Sequence, residues 1–155
     1  MDLHIGITDS RGNVYEFDRK GMSVTSCGSN DLWNQCLVIP ITTENTVLQN
    51  YWLTHWDYTL SITASMDIWT REAYHEQKIN CYSFVLTFLK MLNVKQLKPS
   101  LSSKEQFCTD FILPRTRLAA KYISLYRQVI REAVSVIPLK TQASPVPSSS
   151  SSCVA

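Results

Sequence analysis

No run of about 18 apolar residues occurs anywhere in the sequence, so nothing in it reads as a transmembrane helix. No C-x-x-C pair occurs either, which argues against a zinc site among the five cysteines, Cys27, Cys36, Cys81, Cys108 and Cys153. Their number is odd and their spacing irregular, so they do not read as a disulfide framework. A reduced, intracellular protein, cytoplasmic or nuclear and not secreted, is the simplest expectation. The first residues hold Asp2 and His4 and lack the apolar h-region of a secretory signal. A net charge of +2 is too small to imply nucleic acid or a membrane as partner. No cofactor is expected, and no partner is named beyond leaving room for another protein.

What is present suits a globular domain. The 155 residues are 45% hydrophobic and 18% charged, enough for a substantial core. Strand patterns come first. Residues 3–8 alternate, Ser10-Arg11-Gly12-Asn13 is a turn signal, and Val14–Phe17 reads as the returning strand of a hairpin. On the first strand Leu3, Ile5 and Ile7 share the expected core face, and His4 points to the other side. A loop follows over 18–35, with room for a short strand at Ser23–Thr25, and Cys36–Ile41 reads as a third strand with Pro40 near its end.

Helical patterns come afterwards. Thr46–Tyr58 reads as a helix with aromatic residues on one side, and Ile68, Trp69 and Tyr74 as anchors of a long connection. Asn80 suits an N-cap, and Cys81, Phe84, Val85, Phe88 and Leu92 follow helical spacing, widened by Leu86, Leu89 and Met91. That predicts a buried central helix over 80–93. A short helix is expected over 103–111. Pro114 reads as the start of a long C-terminal helix over about 115–136, which Pro138 ends. The organisation expected is therefore one α+β domain over 1–139 and a disordered Ser/Pro-rich tail over 140–155.

The candidate chemistry rests on His4 and Cys81. A cysteine at a helix N-terminus has its thiolate favoured by the backbone dipole, and a histidine beside it can take or share the proton. First-turn N–H groups can supply part of an oxyanion site. His75, six residues before Cys81, is an alternative base, and His55 is a further rival. The duller alternative is that Cys81 is a small core hydrophobe and His4 makes an ordinary hydrogen bond. Arg115 and Arg117 fall in the expected first turn of the last helix, where cations oppose the dipole. That conflict suggests either a structural ion pair or an anion-binding position.

Four separated blocks also carry a family resemblance. Asp2-Leu3-His4-x-Gly6-Ile7-Thr8, Gly12-x-Val14-Tyr15, Asn80-Cys81-Tyr82-Ser83-x-x-Leu86-Thr87-Phe88 and Pro114-Arg115-Thr116-Arg117-Leu118-Ala119-x-Lys121 appear in that order. Together they resemble the makorin-2 opposite-strand protein family over roughly residues 2–132. The resemblance implies relatives with a longer, cysteine-containing N-terminal region, so this chain reads as a short or N-terminally truncated member. No activity comes with it. A weaker resemblance, to the permuted papain-like group that includes NlpC/P60-type and lecithin–retinol acyltransferase-like thiol enzymes, rests on a strand histidine followed by an Asn-Cys helix start. It implies Cys81 as nucleophile and His4 as base of a thiol hydrolase or acyl-transfer enzyme. The competing expectation is a non-catalytic interaction protein that keeps the fold.

Overall fold

The computed structural model describes residues 3–26, 33, 36–41 and 49–132. The chain divides into two compact units, Met1–Arg115 and Thr116–Ala155. The architecture is α+β. A three-stranded antiparallel sheet, β1 (Ile7–Thr8), β2 (Asn13–Asp18) and β3 (Gly21–Ser26), is ordered β1-β2-β3. Helices α1 (Gln49–Ala64), α2 (Cys81–Leu92), the short α3 (Lys104–Phe107) and the long α4 (Leu113–Glu132) follow.

The hairpin forms as its turn chemistry requires. The Asp9 carboxylate accepts hydrogen bonds from the backbone N–H of Arg11 and of Asn13, at 2.9 and 2.8 Å, and Gly12 takes a φ of 83°. A left-handed residue at that point is what glycine permits without a Cβ penalty. Ile7 then pairs with Tyr15 and Thr8 with Val14. This register puts Ile5, Ile7, Tyr15 and Phe17 on the core face. Leu3 departs from the expected core face, because it lies beyond the last rung of the ladder and is 50% exposed.

Two further strand expectations change. The third strand is β3, longer than the short Ser23–Thr25 segment and paired with β2 along its whole length. Residues Cys36–Ile41 are not a strand. Ile39 and Ile41 pack against the core without a ladder, and Pro40 removes a donor that a ladder needs.

The core of the first unit gathers around α2. Phe17, Phe84, Phe88, Leu60 and Leu89 are almost fully buried. Phe17 meets Trp69 edge-on at 5.2 Å between centroids, Trp69 meets Phe84 at 5.4 Å, and Trp56 meets Phe88 at 4.8 Å. Such edge-to-face pairs add to the burial term. The Trp69 indole N–H donates to the Thr63 carbonyl at 2.6 Å, so the ring is buried without an orphaned donor. Helix α1 is also tied to the hairpin. Trp56 donates to the Thr8 carbonyl at 2.8 Å, and Asp57 accepts from the Ser10 N–H at 2.9 Å. Ile68, expected to be an anchor, is instead 47% exposed, while Trp69 and Tyr74 pack on the core as expected.

The last helix does not begin at Pro114. Residues Lys104–Phe107 are α-helical, Cys108–Ile112 form a π turn, and α4 continues from Leu113 without a break. The Leu113 N–H reaches back five residues to the Cys108 carbonyl. That widened turn makes room for the Pro114 ring, which would crowd the carbonyl four residues earlier in a regular α-helix. The π turn thus carries the chain across a proline that would otherwise stop it. Expected residues 46–48 of the first helix, 133–136 of the last, and the tail over 140–155 lie outside the described residues.

Truncating Phe84 removes the ring that joins α2 to Trp69. Phe84→Ala is expected to destabilise the fold by about 3–5 kcal/mol, read as a lowered urea midpoint at unchanged m-value.

Candidate thiol–imidazole site

The N-terminus of α2 is built by Asn80. Its side-chain oxygen accepts from the N–H of Tyr82 at 3.0 Å and of Ser83 at 3.3 Å, and its own N–H donates to the Ser83 hydroxyl at 3.2 Å. This reciprocal capping box satisfies first-turn donors within the motif. The Asn80 amide also donates to the Glu76 carbonyl, which ties the cap to the preceding turn. Cys81 is therefore the first residue of a firmly started helix, and its side chain is buried.

His4 reaches that point from the extended segment leading into β1. Gly6 makes the approach possible: a Cβ there would lie 2.8 Å from the Tyr15 carbonyl oxygen and 3.3 Å from the Trp33 ring. On the far side, the His4 Nε2 is 2.7 Å from a Glu16 carboxylate oxygen. Glu16 is 8% exposed, and the Ser23 hydroxyl donates to its other oxygen at 3.4 Å. Trp33 covers the imidazole, 5.8 Å between ring centroids.

The electrostatics couple the two side chains. The His4 imidazole is pushed up from 6.5 to about 9, first by its side-chain hydrogen bond to Cys81, against the lowering effect of burial, and with Glu16 adding to the rise. Burial pushes the Cys81 thiol up, but the His4 hydrogen bond and the backbone N–H groups of Ile5 and Tyr82 outweigh it. Its pKa ends below the ordinary thiol value. The arrangement favours a thiolate–imidazolium pair. By contrast, burial raises the Cys108 thiol. Tyr82, beside Cys81, is pushed up to about 12 by burial and by the two neighbouring thiols, so it stays a neutral phenol.

Of the residues singled out in the sequence, His4 and Cys81 meet. His75 does not replace His4 in the contacts that act on Cys81. It is exposed, bridges to Ile79, and its Nδ1 accepts from the Gln77 N–H at 3.2 Å. His55 stands by the other end of α2, 3.4 Å from the Leu92 carbonyl, which is about 16 Å along the helix axis from Cys81. Arg115 and Arg117 are exposed, and no ion pair holds either among the described residues. Their turn lies inside a continuous helical stretch, so the expected conflict with a helix N-terminus is absent. The dipole begins instead at Ser103, whose hydroxyl caps α3 by accepting from the Gln106 N–H at 3.1 Å.

Glu16 is the residue that sequence reasoning missed. The signal for it was parity. In the hairpin register, His4 and Glu16 lie on the same face of adjacent strands, and a diagonal pair across a ladder is within reach of a long side chain.

A family model described as DUF4796 C-terminal matches residues 1–129. The chain belongs to this family. A curated relative, the human MKRN2 opposite strand protein, is 32% identical over 128 residues, covering 83% of this chain and 54% of that protein. The chain thus spans about half the length of the curated relative it matches. The makorin-2 opposite-strand resemblance read from four short blocks is borne out by these matches. No solved structure gives a significant match. The geometry described above therefore stands on this DUF4796 C-terminal chain itself.

The opposed shifts have a consequence for stability. His4 holds its proton more tightly in the folded state, so its contribution is complete below pH 6.5 and lost as pH rises through about 9. The depressed Cys81 contributes in the opposite sense, fully above its unfolded value of 9.0 and less as pH falls through its lower folded value. Where the windows overlap, the two slopes oppose each other. Reactivity reports the pair more directly. Iodoacetamide alkylation of Cys81 is expected to titrate below the ordinary thiol range, and His4→Ala is expected to move that titration upward. A Cys81 profile that His4→Ala leaves unchanged would contradict the coupling.

Proposed function

We propose that this chain is a papain-like thiol hydrolase or acyl transferase, with Cys81 as nucleophile, His4 as general base and acid, and Glu16 orienting the imidazole. The observation that carries this reading is the series Cys81–His4–Glu16: a thiol, a base in contact with it, and a carboxylate 2.7 Å from that base. Nucleophilic catalysis needs these three roles in this order.

The chemistry follows from the pair. The Cys81 thiolate attacks the carbonyl carbon of an ester, thioester or amide and forms the S–C bond. The His4 imidazolium gives its proton to the leaving group as the bond from carbon to that group breaks. Water or another acceptor then attacks the thioester carbonyl, with neutral His4 taking its proton, and Cys81 leaves as the thiolate. The Cys81 N–H is a first-turn donor that the Asn80 cap does not use, and it suits the developing oxyanion. Glu16 stabilises the imidazolium and fixes the ring plane, as its short hydrogen bond supports.

Free thiols at Cys36, Cys81 and Cys108 suit a reducing, intracellular compartment. Among the described residues no helix is long and apolar enough to cross a membrane.

The test is acyl transfer from an activated thioester. Intact-mass analysis is expected to find the acyl group on Cys81 and not on exposed Cys36. His4→Ala should slow acylation about 10²- to 10⁴-fold, with Glu16→Gln producing a smaller loss in the same direction. Acylation of Cys81 no faster than that of Cys36 would instead leave a non-catalytic interaction protein on the same fold.

A further inference from the structure

A net charge of +2 for the whole chain conceals a local excess. The α4 sequence carries five cations, Arg115, Arg117, Lys121, Arg127 and Arg131, against the single acid Glu132. At about 100° per residue, Arg117, Lys121, Arg127 and Arg131 fall on one side of the helix. Leu118, Tyr122, Leu125 and Val129 run along the opposite side, and Ile123, Tyr126 and Ile130 widen that stripe to an arc of about 160°. The arc is open: exposure runs from 40% at Val129 to 67% at Tyr126. A single exposed apolar residue is ordinary, whereas a contiguous apolar face of this length marks an interaction surface.

The shape of the arc narrows the choice of occupant. A second helix covers a seam about two positions in seven wide. Here it would cover Leu118, Tyr122, Leu125 and Val129 and leave Ile123, Tyr126 and Ile130 wet. A second copy would also bring another set of cations into the same assembly. A flat interface covers the whole arc, and negative charge on it complements the four cations of the other side, while Arg115, in the first turn, lies in line with the arc. Two tyrosines within the arc suit a boundary between apolar and polar phases. Long Lys and Arg stems lying beside the arc can extend along the helix to head groups.

We propose that α4 docks in the surface of a membrane rich in anionic phospholipid, its apolar arc at the acyl boundary and its cations toward the phosphate and carboxylate head groups. The helix lies on the bilayer and does not span it, in keeping with its amphipathic sequence. This attachment is independent of the thiol chemistry proposed for the other unit.

The experiment is co-sedimentation of the full 155-residue chain with phosphatidylcholine vesicles made with and without phosphatidylserine. Binding is expected only with phosphatidylserine, and it should weaken as salt is raised. Lys121→Gln with Arg127→Gln should lower the partition coefficient by roughly 25-fold, about fivefold per cation. Tyr122→Ser with Tyr126→Ser should also weaken binding while leaving every charge in place. Far-ultraviolet circular dichroism checks that each variant keeps its helix, and the single Lys121→Gln change, with its fivefold loss, serves if a double variant does not. Absence of binding, equal binding to both vesicle types, or binding unaffected by these substitutions overturns the proposal. So does a stable dimer in ultracentrifugation that Tyr122→Ser with Tyr126→Ser dissociates, because α4 then pairs with a second copy.

Discussion

The packing of Phe84 on Trp69, and of Trp69 on Phe17, determines where α2 begins. Phe17 belongs to the hairpin, Trp69 to the connection after α1, and Phe84 to the first turn of α2. Because these rings are buried and interlocked, the start of α2 can neither slide along the sheet nor turn away from it. The Asn80 capping box then sets which residue is the first of the helix. Together they hold the Cys81 sulfur against the His4 side of the hairpin, and every electrostatic feature of the site follows from that placement.

A thiol in that position experiences opposed effects. Burial disfavours the thiolate, yet the contacts that burial brings, the His4 imidazole and the Ile5 and Tyr82 N–H groups, favour it more. Cys108 shows the outcome when burial dominates: its thiol rises. The difference is one of directed partners, because desolvation acts on any buried thiol, whereas a hydrogen bond requires a donor aimed at the sulfur. Glu16 extends the same logic by one residue. It is nearly buried and holds its carboxylate against the far side of His4.

Much of this was legible in the chain. The apolar spacing of Cys81, Phe84, Val85, Phe88 and Leu92 is long and strongly periodic, and Asn80 is a good cap, so α2 could be placed closely. The hairpin was legible because Gly12 and Asp9 serve a tight turn. Cys36–Ile41 was misleading, since a short β-branched apolar run packs equally well with or without a ladder. Pro114 was misleading for a different reason. Proline normally limits a helix, and only the π turn at Cys108–Ile112 lets the helix pass through it. That turn depends on backbone geometry that residue types do not announce. The two faces of α4 were legible in its helical spacing, where Leu118, Tyr122, Leu125 and Val129 fall opposite Arg117, Lys121 and Arg131, although the net charge of the chain does not show that division.

Local chemistry by itself determined the elements that carry His4 and Cys81, the cap that starts α2 and the absence of a long apolar span, because each rests on contacts between near neighbours in the chain. The tertiary structure decided which histidine lies against Cys81. His75 is far closer in sequence, but it closes its own turn with Gln77 and Ile79, and His55 lies beside the opposite end of α2. His4 reaches the sulfur across 77 positions because the sheet and α2 share one core. Glu16 joins it for the same reason: partners brought together by strand register and helix packing are separated along the chain by distances that no local pattern encodes.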